Sequence, residues 1–408
     1  MNEPDSTASD APRTDALRIV LAAGGTGGHV MPALATAAAL EQRARCDFLV
    51  IGSPRAGERD LRGLVPYPVV EVRARALANV GALGKLVGAA TLPLSVLTAL
   101  RHLVSFRPHL VIATGGYVSG PTGIAAWLAR IPLLVLEQNA APGITTRWLR
   151  PFARALAVSF PQTARRLGAK AIVTGNPIRS TLPAASRRDR TSEPADRTET
   201  LRLLILGGSQ GARGLNTMAQ LAVPFLADTE IGLTVTHQTG KRSVETLRRT
   251  YSEYGIPAIV TPFINNIGEA YACADLVCAR AGATTVAEIA YCGLPSILVP
   301  FPQAAGRHQH ANATALEVAG AAVVVEQEAN GVALAREIID LATDRDRLSS
   351  MAAAAAGCGR DDAAAAVAEL ALSLVSTGNP ARLPGPDQPV QLPREPRTNR
   401  ILRTTRTT

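Results

Sequence analysis

Leu201–Gly214 reads LRLLILGGSQGARG, and Leu17–Pro32 reads LRIVLAAGGTGGHVMP. Each is an apolar run of strand length that ends in glycines and passes into a helical pattern. A strand that gives up its side chains just before a helix lets backbone N–H groups approach something closely, most often a phosphate. Outward from the two stretches the same theme repeats. Strands are expected near Leu17–Ala22, Phe48–Ile51, Leu110–Ala113, Leu133–Leu136, Ala155–Val158 and Ala171–Val173. In the second half they are expected near Leu201–Leu206, Leu233–Thr236, Ala258–Val260, Asp275–Cys278, Ser296–Val299 and Ala321–Val324. Amphipathic helical segments alternate with them, which predicts an α/β protein of two Rossmann-like, doubly wound domains facing a central cleft.

The chain has 408 residues, too many for one ordinary core. Residues 1–16 and 378–408 read as disordered tails. A first domain is expected at 17–182, a linker or surface insertion at 183–200, a second domain at 201–360 and a closing helix at 361–377. Hydrophobic residues make up 47% of the chain and aromatics only 4%, so the cores must be built from Ala, Val, Leu and Ile. The net charge of +9 favours an anionic partner. No basic stripe interleaved with aromatics appears, which argues against nucleic acid. The cysteines form no CxxC pair and the N-terminus has no apolar signal core, so a cytoplasmic setting is expected. Leu86–Leu100 is uncharged between Lys85 and Arg101. It reads either as a buried helix of the first domain or as a segment dipping into an anionic membrane surface.

Three glycine loops carry the chemistry: GGTGGH at 24–29, GGYVSGP at 115–121 and GGSQGA at 207–212. The first lacks the third glycine of a dinucleotide fingerprint, and no acid closes the second strand. None is a Walker A loop, because no Gly-Lys-Ser/Thr follows. Further on, ARAGATTVAEIAYCGLPSILVPFP (279–302) places Glu288 on a helix, where its carboxylate can accept from two vicinal ribose hydroxyls. In GRHQHANA (306–313), Gln309 can read sugar hydroxyls with both ends of its amide. His308 and His310 are spaced i, i+2 on different helix faces, which disfavours a metal. Asp344 reads as an N-cap and Asp346 as a surface charge.

These loops, together with EQN at 137–139, GNPIR at 175–179, GATTVAE at 282–288 and HQ at 308–309, resemble the MurG family of peptidoglycan glycosyltransferases. The resemblance covers nearly all of residues 17–376. It implies a GT-B fold and an inverting, metal-independent transfer of N-acetylglucosamine from UDP-N-acetylglucosamine to undecaprenyl-pyrophosphoryl-N-acetylmuramoyl-pentapeptide (lipid I), giving lipid II. No cofactor is implied. Carried over by position, Thr26, Gly27 and Gly28 approach the donor from the first domain, and Asn139 and Arg179 contribute from the cleft. Ser209 binds diphosphate and the Ile264 backbone pairs with uracil. Ala283, Thr284, Thr285, Val286 and Ala287 line the nucleotide, Glu288 holds ribose and Gln309 holds the sugar. His29 is the favoured base, Glu137 a lesser one, and Tyr117 positions the acceptor. The resemblance also implies a peripheral place on the cytoplasmic face of the cell membrane, with other cell-wall synthesis proteins as further partners. The family's His before EQN is Leu136 here, and its FIDDM is FINNI at 263–267. Rival readings are a UDP-sugar transferase for another lipid, a non-catalytic nucleotide-sugar-binding protein and, last, a nicotinamide-dependent oxidoreductase.

Overall fold

The computed structural model describes residues 16–24, 27–53, 65–74, 82–179, 181–182, 200–208 and 211–377. Thr26 and Ser209, the tails up to residue 15 and from 378 on, and residues 183–199 of the insertion expected at 183–200 lie outside the described residues, while Thr200 already belongs to a strand.

Two parallel sheets form. The first contains β1 (Leu17–Ala22), β2 (Cys46–Gly52), β3 (Val69–Glu71), β4 (Leu110–Ala113), β5 (Leu133–Glu137), β6 (Ala155–Val158) and β7 (Ala171–Val173), in the order β3-β2-β1-β4-β5-β6-β7. The second contains β8 (Thr200–Leu206), β9 (Gly232–Gln238), β10 (Ala258–Thr261), β11 (Leu276–Ala279), β12 (Ser296–Leu298) and β13 (Ala322–Val324), in the order β10-β9-β8-β11-β12-β13. Strands buried on both faces need apolar residues on both, and β1 shows how. Ile19 and Leu21 enter one core with Ile112 and Leu134, while Val20 and Ala22 enter the other with Val111 and Val135.

The strand order reverses between β1 and β4 and again between β8 and β11. Ligands of such sheets sit in the crevice beyond the carboxyl ends at that reversal. The first two glycine loops follow β1 and β4, GGSQGA follows β8, and the Ala281–Gly282 turn follows β11. All four loops therefore emerge at the two places where the topology opens a crevice.

The helices of the first sheet are α1 (Gly27–Glu41), α2 (Ala82–Phe106), α3 (Ser119–Leu128), α4 (Ile144–Leu149) and α5 (Pro161–Leu167). Those after β8 are α6 (Arg213–Ala227), α7 (Val244–Glu253), α8 (Ile267–Cys273), α9 (Ala283–Tyr291), α10 (His308–Val318), α11 (Asn330–Thr343), α12 (Arg345–Cys358) and α13 (Ala363–Thr377). Asp344 caps α12 by accepting from the Arg347 N–H at 2.9 Å, as expected from the sequence.

The division between the two halves differs from the simple cut after residue 182. Ile178 and Leu182 already pack into the second core, so the chain crosses over within GNPIR. The last helix crosses back: Val367, Leu370, Ala371 and Leu374 of α13 pack with Val30, Ala37 and Leu40 of α1 in the first core. The two crossings touch at Gly175 (φ +82°), where a Cβ would come within 2.9 Å of Arg360 and 3.0 Å of Ala363. Only glycine combines that backbone angle with that neighbour.

Candidate functional site: the cleft between the two sheets

The first helix N-terminus in the cleft is that of α1, which begins at Gly27 and Gly28. Its leading N–H groups have no partner within the helix. Opposite stands the N-terminus of α9, entered through Gly282, whose side supplies no cap. The two ends meet: the Thr284 hydroxyl donates to the Gly28 carbonyl at 3.4 Å. Two positive dipole ends therefore converge on one volume, a setting for a diphosphate. Thr284, Thr285 and Ala287 are half-buried on the first turns of α9, with Ala283 opening it. Val286 is buried in the second core, so only its backbone is available.

His29 follows on α1 and is half-buried. Its Nδ1 lies 2.8 Å from the Thr114 carbonyl oxygen. A carbonyl can only accept, so Nδ1 carries the proton and Nε2 keeps its lone pair. Burial pushes the imidazole below its ordinary 6.5, and nearby His308 lowers it further; Glu137 and the Thr114 hydrogen bond pull the other way. The result is a neutral ring with a basic nitrogen. The GGY loop is built around it. A Cβ on Gly115 (φ +98°) would sit 2.8 Å from His29 Cε1, and one on Gly116 (φ +76°) would collide with the Gly24 carbonyl oxygen. The second glycine loop thus lets the first one close over the ring.

From His29 a cavity of about 1210 Å³ runs into the first domain. Its walls include Ser95 and Leu92 of α2, Tyr117 and Pro121 at the start of α3, and Trp148 of α4; His308 borders it from the other domain. Tyr117 is exposed in this wall. Glu137 lies buried in it with both oxygens engaged. Oε1 accepts from Asn139 N and Nδ2, both at 3.1 Å, while Oε2 accepts from Gly143 N at 2.8 Å and from the Thr146 hydroxyl. Four donors hold the carboxylate to its own loop, so in this structure Glu137 shapes the cavity wall.

On the donor side Glu288 is buried. Its Oε1 accepts from Arg179 Nε at 3.0 Å and its Oε2 from the Tyr271 hydroxyl at 3.1 Å. Burial raises its carboxyl pKa and Arg179 counters that most strongly. Each oxygen retains a second lone pair, so the pair of bonds pre-orients the carboxylate. Tyr271 escaped the sequence reading because it sits in no glycine motif. The Gln309 amide oxygen accepts from Phe301 N at 2.9 Å, which orients the amide and leaves its NH₂ end and one oxygen lone pair for a sugar. The Ile264 backbone makes no hydrogen bond to any described residue. Asn266 caps α8 through the Glu269 N–H at 3.3 Å, so FINNI keeps the cap an aspartate would give. Asn139 turns its amide into the protein, toward Glu137 and Asn312, rather than into open cleft. Among the described residues no group of three or more His, Cys, Asp or Glu could hold a metal ion.

The comparisons with known proteins agree with this geometry. Residues 19–158 match the glycosyltransferase family 28 N-terminal domain and residues 202–367 its C-terminal domain. The UDP-N-acetylglucosamine--N-acetylmuramyl-(pentapeptide) pyrophosphoryl-undecaprenol N-acetylglucosamine transferase of Anaeromyxobacter sp. (strain Fw109-5) is 41% identical, over 90% of this chain and 96% of its own. The chain belongs to the MurG family. The transferase of the same name from Marinobacter nauticus is 40% identical over 87% of this chain and 96% of its own. The crystal structure of Acinetobacter baumannii MurG superposes with a TM-score of 0.71 at 32% identity, covering 88% of this chain and 99% of that one. The MurG-family fold is the two-sheet GT-B arrangement described above, and the enzyme is a glycosyltransferase.

Proposed function

We infer that the chain transfers N-acetylglucosamine from UDP-N-acetylglucosamine to the undecaprenyl-pyrophosphoryl-linked N-acetylmuramoyl-pentapeptide. The observation that carries this reading is the meeting of two helix N-termini, α1 and α9, beside the neutral His29 at the mouth of the large cavity. The donor diphosphate lies between the helix ends. Uracil pairs with the Ile264 backbone, ribose reaches Glu288, and the sugar receives a hydrogen bond from the Gln309 NH₂. Arg179 orients Glu288. The acceptor enters the cavity past Tyr117. The C4 hydroxyl oxygen of the acceptor attacks the anomeric carbon, and the bond from that carbon to the diphosphate oxygen breaks. The proton passes to His29 Nε2, and UDP leaves with the bonding electrons. Inversion turns the α-linked donor into a β-linked product. Fixed dipoles at the two helix ends stabilise the charge that grows on the leaving diphosphate, so turnover is expected to survive a chelator.

A lipid-borne acceptor places the enzyme at a membrane surface. Between Val72 and Leu182 the sequence holds thirteen Lys or Arg and one acid, the buried Glu137. Leu94, Leu97 and Val104 of α2, with Trp127 of α3 and Trp148 of α4, are exposed in the same part of the chain. No helix among the described residues is long and apolar enough to cross a membrane. Peripheral attachment to an anionic leaflet fits this combination. The direct test is release of UDP from UDP-N-acetylglucosamine with and without a lipid I analogue, with the disaccharide product identified by mass. Release independent of the acceptor would count against the reading.

A further inference from the structure

Asn312 is fully buried on α10, one turn after Gln309, and no part of the transfer described above uses it. Its Oδ1 accepts from Ala140 N at 2.8 Å. Its Nδ2 donates to Asn139 Oδ1 at 3.1 Å and to the Ala281 carbonyl at 3.0 Å. One amide therefore ties together α10, the turn that leads into α9, and the loop after β5 of the other sheet. Both its N–H bonds are used, and burial leaves no water to replace them.

The connections continue. Asn139 passes the constraint to Glu137, which pins Gly143 and Thr146 and with them the α4 wall of the cavity. Beside it, Gln138 Nε2 donates at 3.0 Å to the Thr114 carbonyl, the same oxygen that receives the His29 Nδ1 proton at 2.8 Å. An unbroken set of buried and half-buried polar contacts thus runs from the helix that carries Gln309 to the loop that walls the cavity. The residue beside that loop's anchor helps orient the base. Such a set has discrete geometry, because small shifts of one sheet against the other would misalign the Ala140 N–H and the Asn312 amide while they are still shut off from water.

We propose that Asn312 is a positioning residue: it fixes the donor helix against the acceptor loop, so that the anomeric carbon and the acceptor hydroxyl meet at reacting distance. The proposal rests on the transferase reading. It predicts a split that a merely structural role would not produce. Most donor contacts (the Ile264 backbone, Glu288, Gln309 and the start of α9) lie in the second domain and α1 adds only one side of the diphosphate cradle, so UDP binding largely survives loss of the strut, whereas transfer needs both domains in register and does not.

The test uses Asn312→Ala, Asn139→Ala and the double variant of the full chain, each checked by thermal melting. A misplacement of the reacting groups by an ångström costs about 10²-fold in rate, so kcat with a lipid I analogue should fall by about that factor. The dissociation constant for UDP should stay within about threefold of the parent value, less than 1 kcal/mol. Because the two asparagines act as one strut, the double variant should be little worse than either single variant. Amide exchange at Ala140 should quicken in Asn312→Ala. Additive losses, a parallel fall of UDP affinity and kcat, or an unchanged kcat would each overturn the proposal. Should Asn312→Ala not fold, the half-buried Asn139→Ala carries the same comparison of kcat with UDP affinity. A parent chain that transfers nothing to lipid I would instead count against the function reading, and exchange at Ala140 would still test the strut.

Discussion

His29 is chemically defined by a single hydrogen bond. With Nδ1 committed to the Thr114 carbonyl, the ring can accept a proton only at Nε2, and burial keeps that nitrogen unprotonated. A group whose pKa is lowered below 6.5 is already in its basic form at pH 6.5. The acid limb of kcat/KM, which reports the free enzyme, should therefore have its midpoint below 6.5, with a flat profile from there toward pH 8. His29→Ala should lower kcat by about 10²- to 10⁴-fold, the usual range for a lost general base, with little change in UDP affinity. An acid limb centred above 6.5, or an unchanged limb in His29→Ala, would show that another group titrates. Glu288 makes a second prediction. Removing its carboxylate takes away a ribose acceptor together with the buried hydrogen bonds it accepts from Arg179 and Tyr271. Glu288→Ala should weaken UDP binding at least tenfold by calorimetry and lower stability by about 1–3 kcal/mol in denaturant melts. Intact UDP affinity in that variant would remove Glu288 from the donor site. The glutamate was legible from its place just after a glycine turn. Its partner Tyr271 was not, because a contact across seventeen positions leaves no local pattern.

Element α2 shows where sequence reading stops. Leu86–Leu100 carries no charge, so periodicity cannot say which face is wet, and both a buried helix and a membrane segment remained open. The helix has one buried and one exposed apolar face. Val96, Ala99 and Leu103 are buried against the first sheet, while Leu94, Leu97 and Val104 are 69%, 57% and 61% exposed. An exposed apolar row on a domain this basic points to a lipid surface. Leu94→Glu and Leu97→Glu should leave the melting temperature within a few degrees, because the parent side chains bury little. Both should reduce flotation with anionic vesicles, and salt should reduce it in the parent, since each basic residue near the headgroups is worth about 1 kcal/mol. Folded variants that still float would move the attachment elsewhere. The strands were easier to read than this helix, because interior parallel strands are continuous runs of Val, Ile and Leu. The exception, β3, is a three-residue edge strand following Pro66 and Pro68, too short to show a pattern. The charge imbalance was written in the sequence yet hidden by whole-chain totals, which average a basic stretch with a slightly acidic remainder.

At the scale of the whole molecule, chain order and spatial order part company at the end. Composition and helical spacing announce α13, but no local signal says which sheet a terminal helix will join. The answer lies in long-range packing: Val367, Leu370, Ala371 and Leu374 complete a layer with α1 that the first sheet would otherwise leave open. The two strands of chain that join the halves, at Gly175 and Arg360, run side by side. Thus the last helix belongs energetically to the first domain. Burying each large apolar side chain contributes about 1.5–3 kcal/mol, and a whole domain is stable by only about 5–15 kcal/mol. Loss of three such residues, with the partners on α1 exposed as well, removes a large part of the first domain's stability. A chain ending at Gly359 should therefore lose amide-exchange protection in β1 and β4 while β8 and β11 stay protected and UDP still binds. A chain ending at Thr377, which keeps α13, should protect both sheets. Exchange followed peptide by peptide in the two chains decides it: equal protection of both sheets in the shorter one would show that α13 merely covers the first domain without holding it together.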